Sequence, residues 1–495
     1  QASAFIGLRL EEFLRAAAAV AGVEFEALAD RATVTPGKRF WVRLSLRVGA
    51  LEVFQNVGLE MSELRLVAPS DWLVEPVAAE VTPTTQVSEF NVTVPASLNP
   101  LAVPRPPLEA EAWLALRRPD AAAGPLRVPL RAVVHGLATS AEPVGAALAR
   151  LEPLTLAPPL TLALEPRLRL IPTTQAAGTV DWQVRIQSHR TDLGDVSVWL
   201  EVPQGWYSPL PQSVSFARDL QYTTLRFQML LPERLPPASH TLRARASVAG
   251  TIFEFMRVGA SAAGYRYQPA VARIEVIASE VPRALRIGYI GFNDDPVPAL
   301  LAQLGIVVDM LDPHALATAK LAPYDAIVIA ERAYDFREDL PAQTPRLLKY
   351  VQSGGTLVVE HQSWRAWQRH QPTPYPATMP AGRNLRVADE TSPVRILVPD
   401  HPGLNFPNRL TPEDFNGWVH ERGLYFLGEW DARFTPLLEL ADPGEEPLRG
   451  SLLYARYGAG VYIYTGLALF RQVRAGVSGG IRLFVNLLSQ SRQRF

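Results

Sequence analysis

Between Arg39 and Val48 the chain reads RFWVRLSLRV, with apolar and polar residues alternating in steps of two. A β-strand produces that period when one face is buried and the other is wet. The TVTPGK just before it supplies a turn. Short runs of this kind, broken by Pro and Gly, fill residues 23–139. The texture returns over residues 151–278 in LTLALEPRLRLI, TVDWQVRIQS, VSVWLEVP, TTLRFQMLLP and HTLRARASVAG. Few windows in either segment are long or periodic enough for a helix. The pattern predicts two antiparallel β-sandwiches of immunoglobulin-like kind, joined by a linker at 140–150.

The two segments also resemble each other. LRLVAPSDWLVEP (Leu64 to Pro76) aligns with VWLEVPQGWYSPL (Val198 to Leu210), each a strand running into Pro-x-x-Trp, at Pro69 with Trp72 and Pro203 with Trp206. Downstream, FNVTVP ending at Pro95 matches FQMLLP ending at Pro232. A fixed order of such marks reads as an internal repeat. The two tryptophans are candidates for sugar-stacking platforms, with plugs for the open end of each core as the plainer expectation.

After a short linker at 279–284 the period changes. LRIGYIGF is a buried-strand run, DDPVPALLAQLG opens a helix, and IVVDMLD and YDAIVIAER are further strands. TPRLLKYVQSGG is a helix with a Gly stop, followed by the strand TLVVEH. Alternation of strand and helix predicts a doubly wound, mostly parallel α/β domain over residues 285–495. SLLYARYGAGVYIYTGLALF adds two strands around a Gly-Ala-Gly turn, and SGGIRLFVNLLSQ a last helix. At the other end, Ile6, Leu10, Phe13, Leu14 and Ala17 fall on one helical face, so residues 1–22 are expected to form a helix.

Composition changes this picture in few places. The 495 residues are enough for about three domains. A net charge of −1 with no basic run argues against nucleic acid as a partner. Zero cysteine removes disulfides, thiolate catalysis and Cys-ligated zinc. No run approaches the roughly 20 apolar residues of a membrane helix, so no membrane span is expected.

In an open parallel sheet, ligands bind beyond the carboxyl ends of the strands. That rule selects Asn293, Asp294 and Asp295 after the first strand, Glu331, Arg332 and Tyr334 after the third, and Glu360, His361 and Gln362 after the fourth. Glu360 and His361 are neighbours on a strand and point to opposite faces. No Gly-x-Ser-x-Gly elbow is present. The histidines show neither His-x-x-x-His nor His-x-His spacing, so no metal ligands and no catalytic set are assigned. The block HPGLNFPNRLTPEDFNGWVHERGLYF, His401 to Phe426, is dense in aromatics and charge. It reads equally as a loop over the crevice or as a connection packed on the sheet edge. Asp294, Asp295, Arg332, Tyr334, Glu360, His361 and Trp418 are the candidate ligand contacts.

The stretches RIGYIGFNDDPVPALLAQLGI, YDAIVIAERAYDFREDL, LLKYVQSGGTLVV, RVADETSPVRILVPDHPGLNFPNRLTPEDFNGWVHERGLYF and PLRGSLLYARYGAGVYIYTGLALFRQVRAGVSGGIRLFVNLL carry a family resemblance. They resemble the glutamine-amidotransferase-like domain at the C-terminus of long bacterial deacetylases of the PIG-L (LmbE-like) family. The two sandwiches are similar to the NEW3-like modules that precede that domain there. The resemblance implies a class I glutamine-amidotransferase-like fold for residues 285–495. It also implies that GGTLVVEHQSW, Gly354 to Trp364, stands where amidotransferases carry their Cys elbow. The family's zinc-binding His-Pro-Asp-Asp and later His-x-x-His are absent from the 495 residues. Zinc is therefore expected only in a deacetylase domain or a partner subunit, and no cofactor in this chain.

Three expectations follow. The first is a non-catalytic accessory part of an N-acetyl-sugar deacetylase system, binding glycan or an N-acetyl-sugar conjugate, or docking a deacetylase subunit or domain, outside the cytoplasm in the periplasm or cell envelope. The second is a hydrolase acting on glycans through crevice carboxylates such as Asp295 and Glu360. The third is a structural protein of the cell envelope.

Overall fold

The computed structural model describes residues 22–49, 59–61, 63–99, 108–116, 126–138, 150–175, 177–190, 192–218, 221–261, 264–292, 294–380 and 385–492. The expected N-terminal helix and Asn293 lie outside the described residues.

Alternation becomes burial in the first two units. Along Arg39–Val48 the residues Phe40, Val42, Leu44, Leu46 and Val48 are buried, and along Thr179–Ser188 so are Val180, Trp182, Val184 and Ile186. In the first unit one sheet runs Arg150–Pro153, His135–Ala138, Val23–Ala29, Arg39–Val48, Thr85–Thr93, Leu73–Val81. A second sheet has Glu109–Leu116 at its centre. The second unit places Leu160–Glu165, Thr179–Ser188 and Tyr222–Leu230 in one sheet and packs it on another centred on Ala238–Val248.

The internal repeat has a structural counterpart. The strands Arg65–Val67 and Val196–Glu201 each pair antiparallel with a long neighbour, and each leads into the same turn. There the Trp72 N–H donates to the Pro69 carbonyl (3.0 Å), and the Trp206 N–H to the Pro203 carbonyl (3.1 Å). Trp72 is buried in the first core, whereas Trp206 is half-buried against the second, its ring 5.1 Å from that of His240.

The boundary expected at residue 151 falls later. Arg150–Pro153 pairs antiparallel with His135–Ala138, and Thr155–Leu156 runs parallel to Thr33–Val34, so these residues complete the first unit. Non-local pairing of this kind leaves no mark in local hydropathy. A hairpin of the second unit, Phe255–Ser261 with Gly264–Pro269, reaches back, and its Tyr267 hydroxyl donates to the Leu156 carbonyl at 3.3 Å.

Beyond Arg286 a seven-stranded sheet runs Val307–Met310, Arg286–Ile290, Ala326–Ile329, Thr356–Glu360, Gly460–Thr465, Leu452–Tyr457, Phe434–Pro436. The first five are parallel, Leu452–Tyr457 runs against them, and Phe434–Pro436 pairs antiparallel with Leu452–Tyr457. Strands buried on both sides read as continuous apolar runs, as AIVI and GVYIYT do. One face is covered by the helices Val297–Gln303, Leu469–Ala475 and Ser478–Leu488. The other is covered by Pro313–Thr318, Leu340–Gln352 and Trp364–His370. The chain reverses its direction of travel between Arg286–Ile290 and Ala326–Ile329, which makes the carboxyl ends of these strands the natural crevice.

The second unit buttresses this domain. Leu170 and Ile277 belong to the core beneath Val297–Gln303, and the Leu170 N–H donates to Gln303 Oε1 at 2.7 Å. Arg273 donates to the carbonyl of Ala475, at the end of the Leu469–Ala475 helix. Gly479, at the start of the last helix, packs so closely on the Pro412–Phe415 turn that a Cβ there would lie 1.7 Å from the Asp414 carbonyl oxygen. The variant Gly479→Ala is expected to lose about 1–3 kcal/mol of stability through backbone displacement, read as a lower urea midpoint; an unchanged midpoint would show that the contact is soft.

Candidate functional site

Three acids meet at the crevice. Asp295 follows the Arg286–Ile290 strand, Glu331 follows Ala326–Ile329, and Glu360 closes Thr356–Glu360. Arg474, from the penultimate helix, bridges two of them with one nitrogen, 2.9 Å from Asp295 Oδ1 and 3.0 Å from Glu331 Oε1. Asp295 is fully engaged: Oδ1 also accepts the Val297 N–H (3.0 Å), starting the helix there, and Oδ2 accepts the Tyr289 hydroxyl (2.5 Å). A cavity of 230 Å³ opens above, lined by Phe292, Asp294, Asp295, Ala330, Glu331 and Arg474.

The other carboxyl oxygens are unsatisfied. Glu360 is 0% exposed, and no side chain bonds either of its oxygens, which have only a weak interaction with the Glu331 backbone; Glu331 Oε2 has no partner. Burial raises the Glu360 pKa well above the ordinary value, and the charges of Glu331 and Asp295 add to it. Arg474 and the backbone of Glu331 favour the charged form but do not outweigh those effects. Glu331 is pushed up to about 7, again mainly by burial, with Arg474 opposing and Asp295 assisting. Tyr289 is raised too, by burial and by the surrounding carboxyl groups. Burial thus favours the protonated form of Glu360, and Glu331 titrates near neutrality.

His361 lies apart from this cluster. It is buried, 5.7 Å from the Tyr425 ring and 5.6 Å from the Phe470 ring, and its Nδ1 has no partner. Burial, with Arg471 and Arg332 nearby, lowers its pKa to about 3. Arg332 takes a left-handed backbone (φ 55°), donates its N–H to the His361 carbonyl (2.8 Å), and turns its side chain toward Asp335 and Phe336. Gln362 staples the strand ends: its amide donates to the carbonyls of Ala330 and Glu360 (3.0 and 2.8 Å) and accepts the Tyr334 N–H (2.9 Å).

The candidates therefore divide. The structure places Asp294 and Asp295 on one cavity wall, and Glu360 is buried within electrostatic reach of Asp295 and Glu331. Tyr334 is core, its hydroxyl bonded to Thr344 (2.7 Å), and Trp418 is core, its ring N–H donating to the Asp414 carbonyl (3.0 Å). Much of the block around Trp418 packs inward: Leu404, Leu410, Phe415 and Phe426 are buried, and Arg422 is buried with bonds to the Ser392 carbonyl (3.0 and 2.8 Å). Tyr289, Glu331 and Arg474 join the site without being among the candidate ligand contacts. Glu331 was visible as a strand-end residue. Tyr289 reads as one more apolar strand position, and Arg474 lies more than a hundred residues beyond Glu360. Among the described residues, no group of three or more His, Cys, Asp or Glu is placed to hold a metal ion. No described helix is long and apolar enough to cross a membrane.

No family model and no curated protein matches the chain. Among solved structures, it is similar to a cytoplasmic protein from Salmonella typhimurium LT2 (16% identity, 41% of this chain and 98% of that one, TM-score 0.28). It is also similar to a β-galactosidase from Rahnella sp. R3 (15% identity, 42% and 32%, TM-score 0.26) and to the adhesin InvE of Yersinia pseudotuberculosis (10%, 52% and 61%, TM-score 0.16). The match thus spans about a third of the β-galactosidase. Likeness at these scores carries no argument about fold or function.

The raised acids make a prediction. Between pH 4.5 and about 7 the folded chain keeps a proton on Glu331 that the unfolded chain has released, so stability falls as pH rises through that window. Glu331→Gln is expected to match the parent near pH 4 and to exceed it at pH 8 by at most about 3 kcal/mol. Glu360→Gln is expected to shift in the same direction. Urea denaturation at both pH values checks this, and variants less stable than the parent at pH 8 would contradict burial as the cause.

Proposed function

We propose that this chain is the non-catalytic, glycan-binding or docking portion of a bacterial PIG-L-type N-acetyl-sugar deacetylase system, acting outside the cytoplasm. In this reading the two β units are NEW3-like immunoglobulin-type modules, and residues 285–495 form a class I glutamine-amidotransferase-like domain.

The observation that carries it is the end of the Thr356–Glu360 strand. A nucleophile at such a place must be exposed on a sharp, strained turn so that substrate reaches it. Here Glu360 and His361 are both buried, and neither takes a left-handed backbone; the left-handed residue is Arg332, just after the neighbouring strand. The 495 residues hold no thiol. The family's zinc ligands are likewise missing, so zinc chemistry in this reading belongs to a deacetylase domain or subunit and to no residue here.

A second reading, hydrolysis of glycans by the crevice acids, is favoured by Glu331, which lines the cavity and titrates near neutrality. It is weakened by Glu360, which has no exposed surface to offer as the second group.

Isolating the native protein from its source and measuring its intact mass tests the accessory reading. The expected result is a longer precursor, or a co-purifying subunit with the His-Pro-Asp-Asp motif. A lone 54.5 kDa species, itself able to hydrolyse a glycan and losing that activity in Glu331→Gln, would replace the accessory reading by the second.

A further inference from the structure

The two β units differ where their outward faces should match. Aligning Phe90 with Phe227 sets Arg39–Val48 and Thr85–Thr93 against Thr179–Ser188 and Tyr222–Leu230, with Val42 and Trp182 in equivalent places opposite the two phenylalanines. In the first unit the outward side chains close on one another across strands. Arg43 bridges Glu89 (2.6 Å), Arg47 bridges Glu24 (3.6 Å), and Arg39 reaches Glu75 (2.8 Å) on the flanking strand Leu73–Val81. The second unit replaces these pairs. Gln183 stands opposite Arg226 where Arg43 stands opposite Glu89, and Gln187 opposite Thr161 where Arg47 stands opposite Glu24. Among the described residues no strand flanks Tyr222–Leu230, which forms the edge of its three-stranded sheet.

The result is a sheet face whose hydrogen-bonding groups stay open. Asp181, Gln183 and Arg185 point outward from one strand and Tyr222, Arg226 and Gln228 from the next, all of them exposed. Among the described residues, the side chains of Gln183, Arg226 and Gln228 form no hydrogen bond and no ion pair; Gln212 donates only to the Arg226 backbone carbonyl (2.7 Å). Arg185 lies 4.2 Å from the centre of the Tyr222 ring and steadies it, with Tyr222 still 38% exposed. The cations Arg185 and Arg226 are matched in number by Asp181 and by Glu165, which stands opposite Gln183 on its other side. An anion would meet two carboxylates here, and a cation two guanidinium groups. A hydroxyl group both donates and accepts, as this mixture of amides, guanidinium groups and carboxylates requires. An exposed ring adds a platform for an apolar surface. From Asp181 to Gln187 a strand runs about 20 Å, longer than one sugar unit.

We infer that this face of the second β unit is a binding surface for a neutral oligosaccharide, an extended chain of several sugar units. Tyr222 stacks on the apolar side of one unit. Gln183, Arg226 and Gln228 bond hydroxyl groups along the chain, and Asp181 accepts from them. The first unit carries the same strands with its ion pairs closed, and its face does not bind. The choice of a glycan rests on the glycan-binding reading above; the location and the lack of charge rest on the difference between the two units.

Calorimetric titration of the full chain at pH 7 tests this, with linear hexamers of N-acetylglucosamine, glucose and galacturonate and with the two neutral monosaccharides. At least one neutral hexamer is expected to bind, about tenfold or more tightly than its monosaccharide, which reaches only part of the face. Tyr222→Ala is expected to weaken that binding about tenfold. The double variant Gln183→Arg/Arg226→Glu installs the ion pair of the first unit and is expected to weaken it by at least about tenfold. Trp41→Ala, on the outward face of the first unit, is expected to change nothing. These side chains are exposed, so each variant should melt with the parent. Galacturonate binding more tightly than both neutral hexamers, or no saturable binding of either neutral hexamer, would overturn the inference. Neutral-hexamer binding that Trp41→Ala abolishes and the double variant leaves intact would overturn it too, and leave the glycan-binding reading standing. Binding that depends on Tyr222 and Arg226, in a chain with no deacetylase precursor or partner, would uphold the inference and remove the accessory reading.

Discussion

One guanidinium holds the strand-end acids of the α/β domain together. Asp295, Glu331 and Glu360 arrive from three adjacent parallel strands, and Arg474 is the cation that reaches the first two. Like charges in a poorly solvated place raise one another's pKa, and a single counter-charge cannot satisfy all three. The outcome is graded. Asp295 is fully bonded, Glu331 is half-satisfied and titrates near neutrality, and Glu360 is left without a side-chain partner, its pKa raised by burial. The cavity and its acceptor-rich wall follow from that grading.

Arg474 is placed by packing well outside the crevice. Its helix ends at Gly476, whose left-handed backbone (φ 71°) turns the chain where a Cβ would lie 2.7 Å from Glu275 Cγ in the second β unit. Arg273 of the same strand caps the helix by donating to the Ala475 carbonyl. The β unit thus helps to set the position of the cation that organises the acids. Sharing of Leu170 and Ile277 with the α/β core makes that support part of one hydrophobic body, not a hinge.

Much of this was legible from local pattern. The two-residue period gave Phe40 to Val48 and Val180 to Ile186 their inward faces, because a half-buried strand writes its burial into the sequence. The strand-end rule pointed to Asp295, Glu331 and Glu360, because in a parallel sheet chain order fixes which ends share a crevice. What stayed hidden is non-local. Nothing near residue 150 says that it pairs with His135–Ala138, and nothing near Arg474 says that its helix ends over the crevice. Trp418 and Tyr334 show another limit: a large amphipathic ring beside charges looks alike in sequence whether it faces a ligand or a core, and here the Asp414 carbonyl and Thr344 hydroxyl satisfy both.

The account turns on burial favouring the protonated form of Glu360 inside the folded protein. Infrared difference spectroscopy between the parent and Glu360→Gln at pH 7 measures this directly, through the carbonyl stretch of a protonated carboxyl group. The account requires that band in the parent and its absence from the variant. A parent spectrum with only carboxylate bands at pH 7 would show that Glu360 is ionised, and would mean that a cation or donor already meets it.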